Sequence, residues 1–375
     1  MQSLIRLSRP CVGPEELLGV KRVLEAGYLG MSSEVKALEE ELAEFIGSGR
    51  HVVCVNTGTS ALQLSIQACG IGAGDEVLVP TLTYVASFQA VSATGAIPIP
   101  CDVDPRTGFL DVEDAKRRVT SNTKAIMPVH YASGFGALDA VYELAKDHQL
   151  RVIEDAAHSF GGTYKDKPVG AIGDIVCFSF DGIKNITCGE GGAIVTSDSV
   201  VANRIKDARL LGVERDTEKR YAKQRSWDFD VTEQGWRYHM NDLMAAIGRE
   251  QLKKLPEFVE KRRHIVQRYK DFFEGHSVVG VLDINSPGTV QHICPIVLKS
   301  GDRDGLRHYL LDNNIETGLH YKPNHLLTKY SRGYSLLQAE SLFEKLLTLP
   351  IHPLLEDADI DRITDRIQKW VDGNA

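Results

Sequence analysis

Cys177-Phe178-Ser179-Phe180-Asp181-Gly182-Ile183-Lys184-Asn185-Ile186-Thr187-Cys188-Gly189-Glu190-Gly191-Gly192 is an apolar strand pattern that turns into a loop ending in glycines. Upstream, Asp155 follows the apolar stretch Arg151-Val152-Ile153-Glu154, and earlier still Asn56-Thr57-Gly58-Thr59-Ser60-Ala61-Leu62 closes a strand and opens a helix. The same rhythm extends outward from these segments. Strands are predicted at 51–55, 76–79, 97–102, 124–129, 151–154, 174–180 and 192–196, and helices at 60–69, 84–93, 112–119, 137–148 and 200–210. Apolar strands separated by helices imply an α/β fold with a mostly parallel sheet covered on both faces, and ligands bound outside the carboxyl ends of its strands.

Two helices precede this rhythm. One is predicted over 14–26, with Pro14 near its start and Gly27 at its end, and one over 34–46, with Val35, Leu38, Leu42 and Phe45 on one face. Residues 213–235 are polar and mixed in charge, which fits a solvated excursion and equally a lid over the site. A long helical pattern then runs from about 240 to 274, with a kink or break expected at Pro256. The domain boundary is placed at its start, giving a large domain over 1–240 and a smaller α/β domain over 241–375. In the latter, strands are expected at 277–282 and 292–298, and helices near 303–313, 337–346 and 358–371.

Lys184, Asp155 and the Gly58-Thr59-Ser60 turn each have an ordinary structural reading, as a solvated charge, a turn cap and a helix N-cap. Their ordered combination at strand ends points to chemistry. A lysine amine condenses with a carbonyl and, once displaced, serves as a general base. A carboxylate beside a pyridine nitrogen keeps it protonated, and free N–H groups at a helix start hold a phosphate dianion. These are the anchors that pyridoxal 5'-phosphate needs.

A chain of 375 residues buries about three quarters of its unfolded surface, enough for two domains. A formal net charge of −8 gives no basic footprint for nucleic acid or an anionic membrane. Seven cysteines without close pairing, several in apolar runs (Cys54, Cys69, Cys177), read as reduced thiols of a cytoplasmic protein. No apolar run is long enough for a signal peptide or a membrane span.

The chain resembles the DegT-type (DegT/DnrJ/StrS) sugar aminotransferases, pyridoxal-phosphate enzymes of the aspartate-aminotransferase fold (fold type I) with a three-layer large domain. The resemblance runs through Ile71-Gly72-Ala73-Gly74-Asp75-Glu76-Val77, Asp102-Val103-Asp104-Pro105, Thr123-Lys124-Ala125-Ile126 and Glu154-Asp155-Ala156-Ala157-His158. It continues through Gly189-Glu190-Gly191-Gly192, Ala245-Ala246-Ile247-Gly248 and His320-Tyr321-Lys322-Pro323. It implies that Lys184 carries the cofactor, that Asp155 meets its ring nitrogen, and that Gly58, Thr59, Ser60 and Ser179 hold its phosphate. Tyr84 would stack on the ring, with a core aromatic as the alternative, and His158 would lie near the ring hydroxyl, with a capping or core histidine as the alternative. Many relatives read Gly-Tyr-Asn-Tyr-Arg-Met, whose Asn crosses a dimer interface to the phosphate, where this chain has Gly235-Trp236-Arg237-Tyr238-His239-Met240. Arg237 could replace that Asn with a stronger charge on a longer side chain.

The resemblance also implies a homodimer with shared sites, L-glutamate as donor, and a nucleotide-linked keto-deoxysugar as acceptor, such as dTDP-4-keto-6-deoxyglucose or its 3-keto isomer. The products of such enzymes feed bacterial polysaccharides, including lipopolysaccharide O-antigen, or glycosylated metabolites. Tyr28, His320, Tyr321 and His325 match segments that approach the substrate in relatives. A metal site at these histidines is not expected, because no Cys or carboxylate stands at ligand spacing. Alternatives are a sugar dehydratase, in which histidine replaces the lysine, a transaminase of a free sugar such as an octulosonate, and a non-catalytic regulator. Lys184 speaks against the first, and the retention of every anchor against the last.

Overall fold

The computed structural model of the chain describes residues 3–47, 49–224, 227–284 and 288–373. The first elements are α1 (Pro14–Ala26), α2 (Ser33–Ile46), β1 (His51–Val55), α3 (Gly58–Ala68), β2 (Glu76–Pro80) and α4 (Val85–Ala93). There follow β3 (Ile97–Cys101), α5 (Val112–Arg118), β4 (Thr123–Ile126), α6 (Leu138–His148) and β5 (Arg151–Asp155). A short hairpin, β6 (Thr163–Tyr164) and β7 (Lys167–Pro168), precedes β8 (Ile175–Ser179), β9 (Gly192–Thr196), α7 (Ser199–Ala208) and α8 (Asp216–Tyr221). The remainder comprises α9 (Asp242–Phe273), β10 (Val279–Val281), β11 (Cys294–Leu298), α10 (Arg303–Asp312), α11 (Leu337–Lys345), β12 (Leu346–Leu349) and α12 (Asp357–Gly373).

The large sheet has seven strands in the order β1-β9-β8-β5-β4-β2-β3. Strands β3, β2, β4, β5 and β8 are parallel, whereas β9 runs antiparallel to both β8 and β1. The period-two alternation of strand side chains then fills two cores. Val176, Phe178 and Val195 join Leu38 and Leu42 of α2 and Val141 of α6 on one face. Ile175, Cys177 and Ile194 join Leu64 of α3, Phe88 of α4 and Ile205 of α7 on the other. Each such Leu, Ile or Phe, removed fully from water, contributes about 1.5–3 kcal/mol before entropy is counted. The result is a three-layer architecture with the carboxyl ends of β1, β5 and β8 on one edge.

A second sheet, β10-β11-β12, is antiparallel. Ile265, Tyr269 and Phe273 of α9 pack with this sheet, α10 and α12. Ala245, Leu255 and Phe258 of the same helix pack with the large sheet, so the change of core falls inside α9.

Several expectations are corrected. Helix α9 runs unbroken through Pro256, since packing against α1 and α2 holds its first half despite the lost backbone donor. Leu346, read as the last residue of a helix, instead opens the strand Leu346–Leu349, because pairing with β11 outweighs its helical spacing. The segment 213–235, of which 225 and 226 lie outside the described residues, forms α8 and an antiparallel ribbon on α7. Its ties are the Val213–Val231 bridge and the Arg204–Glu233 ion pair. None of its described residues lines the cavity that holds Lys184, so within its own chain those residues do not cover the site. Phe45 is half exposed, its ring 5.4 Å from that of Phe160, while Ile46 takes the buried position on α2.

Candidate active site

At the carboxyl edge of the large sheet a cavity of about 470 Å³ is lined by the ends of β5 and β8, the start of α3 and the loop bearing Lys184. Its far wall is His292, His320 and Tyr321. Topology explains the convergence, because parallel strands deliver their terminal residues to one edge and β9 returns without crossing it.

Thr57 caps α3, its Oγ1 accepting from the Ser60 backbone N–H at 3.0 Å. Gly58 and Thr59, the first helical residues, line the cavity with N–H groups that have no acceptor inside the helix. The turn is packed so closely that a Cβ at Gly58 would lie 2.8 Å from Ser179 Cβ, and one at Gly192 would lie 2.5 Å from the Thr57 carbonyl oxygen. Ser179 lines the cavity beside them.

Asp155 closes β5 and is buried. Ser87 Oγ donates to its Oδ2 at 2.8 Å and the Ala157 N–H to its Oδ1 at 3.2 Å. Burial raises its pKa, opposed by these two hydrogen bonds and by the Lys184 charge. Among the described residues no cationic side chain lies within ion-pair distance of it, so a buried carboxylate held by hydrogen bonds but without a salt-bridge partner faces the cavity.

Lys184 stands in the loop between β8 and β9, its Nζ 3.2 Å from His292 Nε2. Burial lowers its pKa to about 8, with Asp155 and Asp181 pulling the other way and Arg262 adding to the depression. Burial also keeps His158 and His292 well below the usual histidine range and His320 at about 4, each further lowered by the Lys184 charge. At neutral pH the cavity therefore holds neutral imidazoles and an amine that is still mostly ammonium but gives up its proton far more readily than an exposed lysine. His158 Nε2 lies 3.1 Å from Tyr321 Oη, and the Tyr84 ring, largely exposed, has its centroid 5.6 Å from that of Tyr321.

The structure brings together Gly58, Thr59, Tyr84, Asp155, His158, Ser179, Lys184, His320 and Tyr321. It leaves out four residues of the sequence reading. Ser60 is spent in the cap, its hydroxyl donating to Asn56 Oδ1 at 2.7 Å, and it does not line the cavity. His325 is buried between Thr81 Oγ1 at 2.8 Å and Glu340 Oε1 at 3.0 Å, which fixes the 320–326 segment against the turn carrying Tyr84. Tyr28 is half buried outside the cavity, and Arg237 is exposed beyond its rim. His292 and Ser87 were missed. His292 lies in the apolar run before β11 and Ser87 in the first turn of α4, and neither carries a local signal because its partner is remote in sequence.

The donor set fits pyridoxal phosphate. A buried carboxylate without a salt-bridge partner suits a protonated ring nitrogen, a depressed amine suits an aldehyde, and the α3 terminus with Ser179 suits a phosphate. Among the described residues no group of His, Cys, Asp or Glu is placed to hold a metal ion, and no helix is long and apolar enough to cross a membrane.

The profile of the DegT/DnrJ/EryC1/StrS aminotransferase family matches residues 10–368. A dTDP-4-dehydro-2,3,6-trideoxy-D-glucose 4-aminotransferase of Saccharopolyspora spinosa is 33% identical over 98% of this chain and 97% of its own. The crystal structure of the aminotransferase TlmJ of Streptoalloteichus hindustanus superposes with a TM-score of 0.92 at 30% identity, covering 100% of both chains. The PLP-form of a sugar aminotransferase from Streptococcus pneumoniae, described as putative, matches with a TM-score of 0.89 at 28% identity over 96% of this chain and 97% of its own.

Proposed function

The chain belongs to the DegT/DnrJ/EryC1/StrS aminotransferase family, and we propose that it transfers an amino group from L-glutamate to the keto group of a nucleotide-linked deoxysugar. Its cofactor is pyridoxal phosphate, which when bound takes the amino group from the donor and passes it to the acceptor. Lys184 tethers the cofactor through its amine and, when released, carries the proton to and from the α-carbon of the substrate. Its pKa of about 8 leaves an appreciable share of free base for this task. Asp155 holds the ring nitrogen protonated, with Ser87 and the Ala157 N–H keeping its carboxylate oriented.

Gly58, Thr59 and Ser179 hold the phosphate, Tyr84 covers the ring and His158 serves the ring hydroxyl. His320 and Tyr321 form the wall nearest the sugar. The protein acts in the cytoplasm as a homodimer in which Arg237 of one subunit reaches the phosphate bound by the other. In support, Arg237 is exposed and has no ion-pair partner among the described residues.

The observation that carries this reading is the juxtaposition of the Lys184 amine and the buried Asp155 carboxylate in one cavity at the sheet edge. Borohydride treatment of the loaded enzyme should fix the cofactor on the peptide containing Lys184. A panel of dTDP-, UDP- and GDP-linked keto sugars incubated with L-glutamate should yield an amino sugar by mass spectrometry. Labelling of another lysine, or an amino product only from free sugars, would overturn the reading.

A further inference from the structure

His292 touches the amine on which the proposed chemistry depends. Its ring is held from the backbone: the His292 N–H donates to Ser133 Oγ at 3.1 Å, and Arg262 Nη1 donates to its carbonyl at 3.4 Å. The ring is buried, with Nε2 3.2 Å from Lys184 Nζ, while Nδ1 has no partner among the described residues. A neutral imidazole carries one N–H. With the proton on Nε2, the ring donates to a free amine and leaves a bare acceptor at Nδ1. With the proton on Nδ1, the ring accepts from an ammonium and buries an N–H that has no acceptor. Orphaned buried N–H groups are rarer than under-satisfied acceptors, so the geometry favours the first pairing.

We propose that His292 is a further catalytic residue of this site, donating its Nε2–H to Lys184 Nζ and so holding the lysine as a free amine whenever it is released from the cofactor. The proposal rests on the assignment of Lys184 in the proposed function. The other groups facing the amine do not take over this role. Asp155 from β5 and Asp181 from the lysine's own loop favour the ammonium. Arg262, fully buried on α9, donates to the backbone carbonyls of Gln291 and His292, and its charge opposes protonation of both the lysine and His292. His158 is paired with Tyr321 through Nε2, and His320 with Thr348 Oγ1 through Nδ1 at 2.9 Å.

The test titrates Lys184 in the apoprotein by the pH dependence of its acetylation with acetic anhydride, quantified on its peptide by mass spectrometry. In His292→Gln and His292→Asn the side-chain amide oxygen accepts from an ammonium without orphaning a ring N–H. The midpoint should therefore rise by about one pH unit, roughly a tenfold loss of free amine below both midpoints. An unchanged midpoint in both variants at wild-type melting temperature overturns the proposal. Neutron diffraction from the unmodified apoprotein needs no variant: a deuteron on Nε2 supports the proposal, and one on Nδ1 refutes it. Borohydride mapping on the same proteins separates the two claims. A label away from Lys184 overturns the parent reading together with the functional claim for His292, whereas a label on Lys184 with an unmoved midpoint overturns the His292 claim alone.

Discussion

Replacing Gly58 with alanine puts a methyl group where there is no room for one. Its Cβ would lie 2.8 Å from Ser179 Cβ, 3.1 Å from Ser179 Oγ and 3.3 Å from Ser179 Cα. Ser179 ends β8 and is paired with Gly192 in the middle of the sheet, so the strand cannot retreat. Restoring ordinary contact at 3.4 Å requires the first turn of α3 to move by 0.6 Å (3.4 − 2.8). If the Gly58 and Thr59 N–H groups hold the phosphate, that displacement stretches a bond of about 2.9 Å to the limit of a hydrogen bond. Loss of one charge-assisted bond is worth about 1.5–3 kcal/mol, or roughly 10- to 100-fold in Kd. Overpacking should also cost the apoprotein about 1–3 kcal/mol of stability, seen as a lower melting temperature. The assay is absorbance titration of Gly58→Ala apoprotein with pyridoxal phosphate and, in parallel, with pyridoxal, which lacks the phosphate. The weakening should be confined to the phosphorylated form. Wild-type affinity for pyridoxal phosphate, or an equal loss for pyridoxal, would refute the assignment of this turn.

Lys184→Met should stabilise the apoprotein at neutral pH by about 3 kcal/mol at most. The amine's folded pKa of about 8 lies below its ordinary 10.5, so the unfolded chain binds more protons between these values and wild-type stability climbs with pH across that window. Thermal melts of the two apoproteins should accordingly differ most below pH 8 and converge above 10.5, and a gap independent of pH would contradict the depressed amine. Asp155→Asn keeps the shape and removes the charge, so turnover should fall about 100-fold or more while cofactor content, read by absorbance, falls far less; nearly full turnover would end the ring-nitrogen role. Mixing inactive Lys184→Ala with inactive Arg237→Ala under subunit exchange should restore part of the activity, because a mixed dimer has one site with both defects and one with neither. No recovery despite verified exchange would confine Arg237 to its own subunit.

Much of the large sheet is legible because each buried parallel strand is a short apolar run and each covering helix has its own period. The orientation of β9 could have been read as well. Only a helix-free loop separates Ser179 from Gly192, and a parallel return needs a crossover, usually a helix. For β12 no such clue exists, since Leu346-Leu347-Thr348-Leu349 continues the apolar pattern of α11 and only the distant Cys294–Leu298 strand makes it extended. Pro256 misleads for a related reason: the cost of one lost hydrogen bond is local, while the packing that outweighs it comes from α1 and α2.

At the site, the sequence order was enough to bring Lys184 and Asp155 into one cavity, whereas a residue's part was illegible where two roles compete for the same atoms. Thr57-Gly58-Thr59-Ser60 reads both as a phosphate turn and as a helix cap, and a serine hydroxyl that donates to Asn56 Oδ1 while accepting from the Thr57 N–H has little left to offer a ligand. His325 presents the same conflict, with both ring nitrogens committed to Thr81 and Glu340. The consequence bears on the mechanism. With Ser60 withdrawn, a phosphate bound as proposed would rely on the backbone of Gly58 and Thr59 and on Ser179, which pack so closely that a Cβ at Gly58 would lie 2.8 Å from Ser179 Cβ. A site that grips through backbone must fix that backbone, and here the fixing is done by glycines at 58 and 192, where the α3 turn meets the ends of β8 and β9 too closely for any side chain.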